Sequence, residues 1–258
     1  MVNLLLFLCF FLIIAFAFDM YCGYRQNTIF PCVHRISPLD IKSILVISLI
    51  VLLPALVVAF RSEHTGIDTV RYITVLETSE KIIEHKMELA GEYLYWNLCL
   101  FFQKYGDIRG LFFVLAFIPL FFTFATLYKL HGIFNPFVSS FVFLLFFYQD
   151  MFNASRQMPA IALVFFSYTY CFSRKIIPFF VCVYLASLFH STALIAIPLY
   201  FLYPKNEENL IGYIKMFFIP LLIVVLCAFF LKDVLNLDAF EKYENYSNEI
   251  FSVSKWQA

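Results

Sequence analysis

Long uninterrupted apolar stretches constrain the fold of this chain more than any other feature of its sequence. The hydrocarbon core of a bilayer is about 30 Å thick, and a helix rising ~1.5 Å per residue needs about 20 apolar residues to cross it. Residues 2–18, 43–60 and 110–128 come close to this length and contain no Asp, Glu, Lys or Arg. The sequence therefore predicts an integral membrane protein.

The overall composition supports the same class. Of the 258 residues, 62% are hydrophobic and only 14% are charged, whereas soluble domains are about half apolar and about a quarter charged. The net charge is zero, so there is no basic field for nucleic acid. The seven cysteines form no metal-ligand spacing, and no Gly-rich phosphate loop occurs. We therefore expect no cofactor, no metal and no nucleic-acid partner.

We predict an all-α polytopic membrane protein with a single transmembrane domain over residues 1–258 and about seven or eight transmembrane or re-entrant helices. The predicted spans are 2–18, 43–60, 110–128, 136–149, 153–172, 176–189, 191–203 and 212–231. A polar outer loop, 61–109, separates the second and third spans, and a polar tail covers 232–258. A signal peptide is an alternative for the first stretch, although no Lys or Arg precedes it.

Two apolar stretches have lengths that do not suit a simple crossing. Residues 136–149 would reach only ~21 Å as a helix. Residues 176–203 are too long for one span and are interrupted by His190-Ser191-Thr192. Because broken helices at membrane depth are tolerated where they line a protein cavity, both interruptions predict a functional site.

The orientation follows from the Lys and Arg residues of the short loops, which favour the cytoplasmic side. With the N-terminus outside and 176–189 and 191–203 as a re-entering pair, the outer face receives the loop 61–109, the island 150–156, His190 and the tail. If 176–203 is instead one tilted span, only the C-terminal part inverts. The predicted topology therefore gathers the polar clusters at one face of the bilayer.

Four polar clusters at this face are candidate site elements. They are Arg61 with Gly66-Ile67-Asp68-Thr69-Val70-Arg71-Tyr72, Glu92 in GEYLYWN, Asn153 with Arg156-Gln157, and His190-Ser191 in FHSTAL. Arginines bind pyrophosphate through charge-assisted hydrogen bonds, and aromatic faces suit sugar rings. Asn153 is a predicted N-cap for the helix that follows, and a cation such as Arg156 opposes the helix dipole there unless an anion binds.

Each cluster also has a structural interpretation. The first suits a solvated face beside the membrane, and the second suits an interfacial helix with Tyr and Trp at headgroup level. Arg156 would reach the interface by snorkelling, and His190 would be a hydrogen-bonded structural histidine.

The order of these clusters resembles the EpsG family of membrane proteins from polysaccharide gene clusters. That family is similar to Wzy-type polymerases, which implies a GT-C-like helical architecture and a place in the bacterial cytoplasmic (inner) membrane. The resemblance implies polymerisation of undecaprenyl-pyrophosphate-linked oligosaccharide repeat units into exopolysaccharide, capsule or O-antigen at the outer face. The implied partners are this lipid-linked oligosaccharide, membrane lipid and other polysaccharide-assembly proteins.

Site roles follow from the chemistry of that reaction. The residues expected to bind substrate are Arg61, Arg71, Tyr72, Asn153, Arg156, Gln157 and Ser191, with the arginines on the pyrophosphate. His190 or Asp68 would take the proton of the acceptor hydroxyl, and Glu92 would orient that hydroxyl. The sequence does not choose between the two bases.

Two other functions remain open at this point. One is a flippase or transporter for a lipid-linked glycan, which would need related halves and polar residues reaching the cytoplasmic side. The other is a non-catalytic partner in a polysaccharide synthesis complex. The chain ends in a polar tail where members of the resembling family continue through further spans, so we expect a C-terminally shortened member.

Overall fold

The computed structural model describes residues 2–29, 37–202 and Phe218, and the regular structure within these residues is helical. The chain divides into two compact units, Met1–Tyr200 and Phe201–Ala258. The helices are α1 (Val2–Ile29), α2 (Ile41–Ala59), α3 (Thr69–Glu77), α4 (Glu80–Ala90), α5 (Tyr93–Tyr105), α6 (Ile108–Lys129), α7 (Pro136–Phe147), α8 (Asp150–Asn153), α9 (Gln157–Phe172), α10 (Ile176–Ser187) and α11 (Ile197–Leu202). A 3-10 turn, Ser191–Ala196, joins the last two.

Within the described residues, three helices are long and apolar enough to cross a membrane, so the chain is an integral membrane protein. They are Leu6–Tyr24 within α1, all of α2, and all of α6. Shorter apolar segments cover Pro136–Phe147, Gln157–Phe172, Ile176–Ser187 and Ser191–Phe201. The predicted span 212–231 and the tail 232–258 lie outside the described residues, apart from Phe218.

The bundle core forms because α6 packs on α2 and α9, α10 packs on α9, and α1 packs on α7. The rings of Phe18 and Phe124 meet edge to face at 4.8 Å between centroids. The hydroxyl of Tyr148 donates to the Pro54 carbonyl (2.8 Å) and joins α2 to the end of α7. Phe18 of the first helix is fully buried in this core.

The helix boundaries differ from the predicted spans where the apolar pattern does not coincide with backbone hydrogen bonding. The first helix continues past residue 18 to Ile29, because no proline interrupts it before Pro31. The helix predicted over 153–172 begins only at Gln157, after a separate turn of helix at α8. The stretch 176–203 is broken after Ser187, and the 3-10 turn follows His190.

The polar segment 61–109 contains three packed helices, α3 to α5. Ile83, Trp96 and Cys99 are buried against α6 and α9 in a second hydrophobic cluster. The amide of Gln103 donates to the carbonyls of Leu76 (2.8 Å) and Thr78 (2.6 Å), which satisfies the end of α3. This segment is therefore a layer of the protein, attached to one end of the bundle.

The interfacial position that the sequence suggests for the aromatic run of α5 is wrong for two of its residues. Tyr95 is 2% exposed and Trp96 is 5% exposed, and both pack inside the second cluster. Tyr93 alone of the three is well exposed, at 47%. The pattern fails because α5 has packed neighbours on the bundle side, which the sequence does not show.

Candidate functional site

The candidate site lies where four non-helical points of the chain meet. These are the loop between α2 and α3, the start of α5, the break between α8 and α9, and the break after α10. Helix ends leave backbone groups unpaired, so such breaks attract polar side chains from their neighbours. Polar residues of all four sequence clusters lie at or beside these points.

The carboxylate of Glu92 is the most buried charged group of the site, with 3% of the side chain exposed. Its Oε1 accepts a hydrogen bond from His190 Nδ1 (2.6 Å) and another from the Ser191 backbone N–H (3.2 Å). Its Oε2 lies 2.9 Å from Nη1 of Arg156. A buried carboxylate needs such partners, because removing an unpaired charge from water is costly.

The two oxygens of Glu92 are held differently. The contact from Arg156 to Oε2 is close, but its angle is not that of a hydrogen bond, and Oε2 has no hydrogen-bond partner among the described residues. We treat the pair as an ion pair, since the 2.9 Å separation gives strong attraction at any angle. Oε1 is therefore fixed by two hydrogen bonds, while Oε2 is held by charge alone.

The start of α5 is docked on the break after α10. The backbone N–H groups of Leu94 and Tyr95 both donate to the Leu188 carbonyl, at 3.0 and 3.3 Å. The first amides of a helix have no acceptor within the helix, and here the end of another helix supplies one. This docking holds Glu92, which directly precedes α5, against His190 and Ser191.

Arg156 directly precedes α9 and is 34% exposed. Its guanidinium also lies near the face of Tyr95, 5.6 Å from the ring centroid. The sequence predicts that a cation at this helix start needs an anion, and in the structure Glu92 is that anion.

Tyr72 links the break before α9 to α3. Its hydroxyl donates to the Asn153 carbonyl (3.2 Å) and lies 3.4 Å from the backbone N–H of Arg156, which donates to it. Burial is the main cause that raises the pKa of Tyr72, so the phenol stays neutral and can donate.

Asn153 does not cap α9. It is the last residue of α8, and its Oδ1 accepts a hydrogen bond from the Ile67 backbone N–H (2.7 Å). The predicted N-cap is therefore wrong, because residues 154–156 turn the chain before α9 begins at Gln157. The side chain instead fastens the loop between α2 and α3 to α8.

Arg61 is packed beneath the same break. Its guanidinium carbon lies 3.6 Å from the centroid of the Phe112 ring. Its Nη1 donates to the Met151 carbonyl (3.0 Å), and both Nη atoms lie 3.5 Å from Ser155 Oγ. Burial lowers the pKa of Arg61 to about 10, which still leaves it protonated at neutral pH.

The other predicted site residues stand at the exposed edge. Asp68 and Arg71 form an ion pair at 3.4 Å, with 37% and 61% of their side chains exposed. Gln157 has an exposed side chain at the start of α9. Among the described residues, no three His, Cys, Asp or Glu side chains are grouped to hold a metal ion.

Three contacts of the site were not selected from the sequence. Ser155 lies between Asn153 and Arg156 in the sequence, and its position between two selected residues was a usable signal. Phe112 and Tyr95 lie beneath the two arginines, and nothing in an apolar or aromatic run distinguishes the ring that a guanidinium will contact.

Comparison with known proteins places this chain in a family. Neither a curated protein nor a solved structure matches the chain. The model of the EpsG family matches residues 44–254, which include all four polar clusters and most of the chain. The predicted resemblance is confirmed, and the chain belongs to the EpsG family.

Proposed function

We propose that this chain polymerises oligosaccharide repeat units carried on undecaprenyl pyrophosphate, at the outer face of the bacterial cytoplasmic membrane. Its family is associated with polysaccharide biosynthesis, and the chain is an integral membrane protein. The observation that carries the proposal is the buried Glu92 carboxylate, which contacts His190 and Arg156 at once. A candidate base and a candidate anion-binding cation are thereby held on the two oxygens of one carboxylate.

His190 suits the role of proton acceptor. A carboxylate that pairs with an arginine is ionised, so the hydrogen on the 2.6 Å contact belongs to His190 Nδ1. In neutral imidazole this leaves Nε2 with a lone pair, which can accept the proton of an acceptor sugar hydroxyl. Glu92 then stabilises the imidazolium that forms, in the manner of a base and its orienting carboxylate.

Arg156 suits the role of a pyrophosphate ligand. The acceptor oxygen forms a bond to the anomeric carbon of the donor, and the bond from that carbon to the phosphate oxygen breaks. The electron pair leaves with undecaprenyl pyrophosphate, and the acceptor proton moves to His190. A guanidinium beside the leaving group stabilises the charge that develops there, and a third of the Arg156 side chain is exposed to meet it.

We predict that Arg156→Ala and His190→Ala each abolish long polysaccharide chains. Both remove a group used at the reacting bond, and losses of this kind cost about 10² to 10⁴ in rate. The measurement is glycan chain length on a gel, from cells lacking the gene and complemented at matched protein amounts. Single repeat units are expected where the wild type gives long polymer.

Arg109→Ala and His85→Ala are the matched controls, since both residues are exposed and lie outside the site. Restoration of full-length polymer by Arg156→Ala or His190→Ala would refute the assignment of that residue. Repeat units that fail to reach the outer face would instead indicate a flippase. If long chains are lost only in variants that no longer assemble with their partner proteins, the chain has a non-catalytic role.

We also predict that Asp68→Asn retains most of the polymer, in contrast to His190→Gln. Asp68 is paired with Arg71 at an exposed position, whereas His190 is 16% exposed and held by Glu92. Surface ion pairs contribute about 0–1 kcal/mol, so the Asp68 change should be mild. The measurement is the initial rate of chain elongation in membranes for each variant. A larger loss of rate for Asp68→Asn than for His190→Gln would make Asp68 the base.

A further inference from the structure

We infer that Arg61 acts as a positioning residue for Arg156, through Ser155 and the Met151 carbonyl, and does not itself touch the substrate. This inference rests on the proposed function, in which Arg156 binds the pyrophosphate. It replaces the sequence-based expectation that Arg61 is a ligand of that anion.

The guanidinium of Arg61 is occupied by the protein on several sides. Its guanidinium carbon lies over the ring of Phe112, 3.6 Å from the ring centroid, a contact that also desolvates it. Nη1 donates to the Met151 carbonyl at 3.0 Å, and both Nη atoms approach Ser155 Oγ. Nε is buried and has no partner among the described residues. Both Nη groups of Arg61 are therefore engaged by groups of the protein.

The groups that Arg61 contacts belong to the break between α8 and α9. Met151 is 1% exposed and lies in α8, and Ser155, 2% exposed, immediately precedes Arg156. Ser155 Oγ donates to the same Met151 carbonyl at 2.7 Å. Arg61 thus holds both ends of the turn from which the Arg156 side chain extends.

A short break has few intrinsic constraints, so its conformation depends on such contacts. Four residues of α8 form a single turn, too short to be stable alone. Tyr72 and Asn153 hold the outer side of the break, and Arg61 holds its inner side. Misplacement of a substrate-positioning group by about 1 Å costs on the order of 10²-fold in rate.

The test is a double-mutant cycle with Arg61→Lys, Ser155→Ala and their combination, in membranes that carry the full chain. The probe is inorganic pyrophosphate as an inhibitor of chain elongation. Lysine keeps the charge but has no planar fork to bridge two acceptors. Ser155 is buried, so its loss alters pyrophosphate binding through its neighbours and not through a direct contact. A simple loss of folded protein would lower the rate without changing the inhibition constant.

We expect each single variant to raise the inhibition constant about tenfold, and the double variant to raise it no further, because both break one unit. Independent effects would multiply to about a hundredfold and would overturn the inference. Ser62→Ala, at an exposed serine of the neighbouring loop, is the control and should leave inhibition unchanged.

Arg156→Lys separates this inference from the proposed function. If it weakens inhibition and Ser155→Ala does not, Arg61 does not act through Ser155, and the inference fails while the proposed function stands. If Arg156→Lys is inhibited like the wild type, the proposed anion site is wrong and the inference fails with it. The inference and the proposed function are both supported if inhibition is weakened in all three single variants and the cycle shows coupling. These variants are Arg156→Lys, Arg61→Lys and Ser155→Ala.

Discussion

Glu92→Gln should reduce chain elongation by about 10² to 10⁴ at matched protein amounts, which is the largest loss expected from an isosteric change. The amide keeps the size of the carboxylate and can still accept from the Ser191 N–H. It removes the negative charge that pairs with Arg156 and that would stabilise protonated His190, although the amide oxygen can still accept from His190 Nδ1. Both proposed functional groups are therefore affected by one substitution.

The measurement is the initial rate of elongation in membranes, with folded protein quantified separately. Glu88→Gln is the control, since it makes the same chemical change at an exposed position of α4. Glu92→Asp is the second comparison, because it keeps the charge but shortens the reach to His190 Nδ1. A Glu92→Gln rate within a few fold of the wild type would show that the ion pair with Arg156 and the His190 contact are structural only.

The change also has a cost for stability. Removing one partner of a buried ion pair costs about 3–5 kcal/mol where the remaining charge is fully buried. Arg156 is 34% exposed, so water can solvate much of the charge that is left, and the cost here should be well below that range. Rate loss larger than the loss of folded protein is thus the expected pattern.

The sequence predicts the membrane class and the polar clusters well, because both depend on local composition. An apolar run of bilayer length has one common explanation, and three such runs are helices of the required length in the structure. The breaks near residues 150 and 190 are visible because polar residues interrupt apolar stretches. These features need no knowledge of which helices become neighbours.

The roles of individual side chains depend on that missing knowledge. Asn153 looked like a cap for the helix after it, yet it binds the Ile67 N–H, 86 residues away in sequence. Arg156 looked unpaired against the helix dipole, yet Glu92 pairs with it across the site. Long-range contacts decide both cases, and a pattern of neighbours along the chain cannot contain them.

The same long-range contacts make one glycine critical to the site. Gly66 has φ +87, a region that residues with a Cβ rarely adopt. A Cβ built there would lie 2.7 Å from the Phe152 carbonyl oxygen and 2.8 Å from Asn153 Oδ1. The loop therefore approaches α8 so closely that only glycine fits between Arg61 and the start of α3.

We predict that Gly66→Ala destabilises the protein by about 3 kcal/mol, from ~1–2 for the backbone conformation and ~1–3 for the steric contact. It should also lower the elongation rate, because relief of the contact moves Asn153 and with it the turn that carries Arg156. The measurements are the Tm of the purified full chain in detergent and the elongation rate in membranes.

Gly91→Ala separates the cost of the backbone conformation from the cost of the steric contact. Gly91 also has a positive φ of +66, but a Cβ there meets nothing within 4 Å, so its substitution carries the conformational cost alone. The Tm should fall at least twice as far for Gly66→Ala as for Gly91→Ala, and the elongation rate should fall more as well. Equal Tm losses would mean that the loop yields to the added methyl group, and the break before α9 would then not depend on close contact with Gly66.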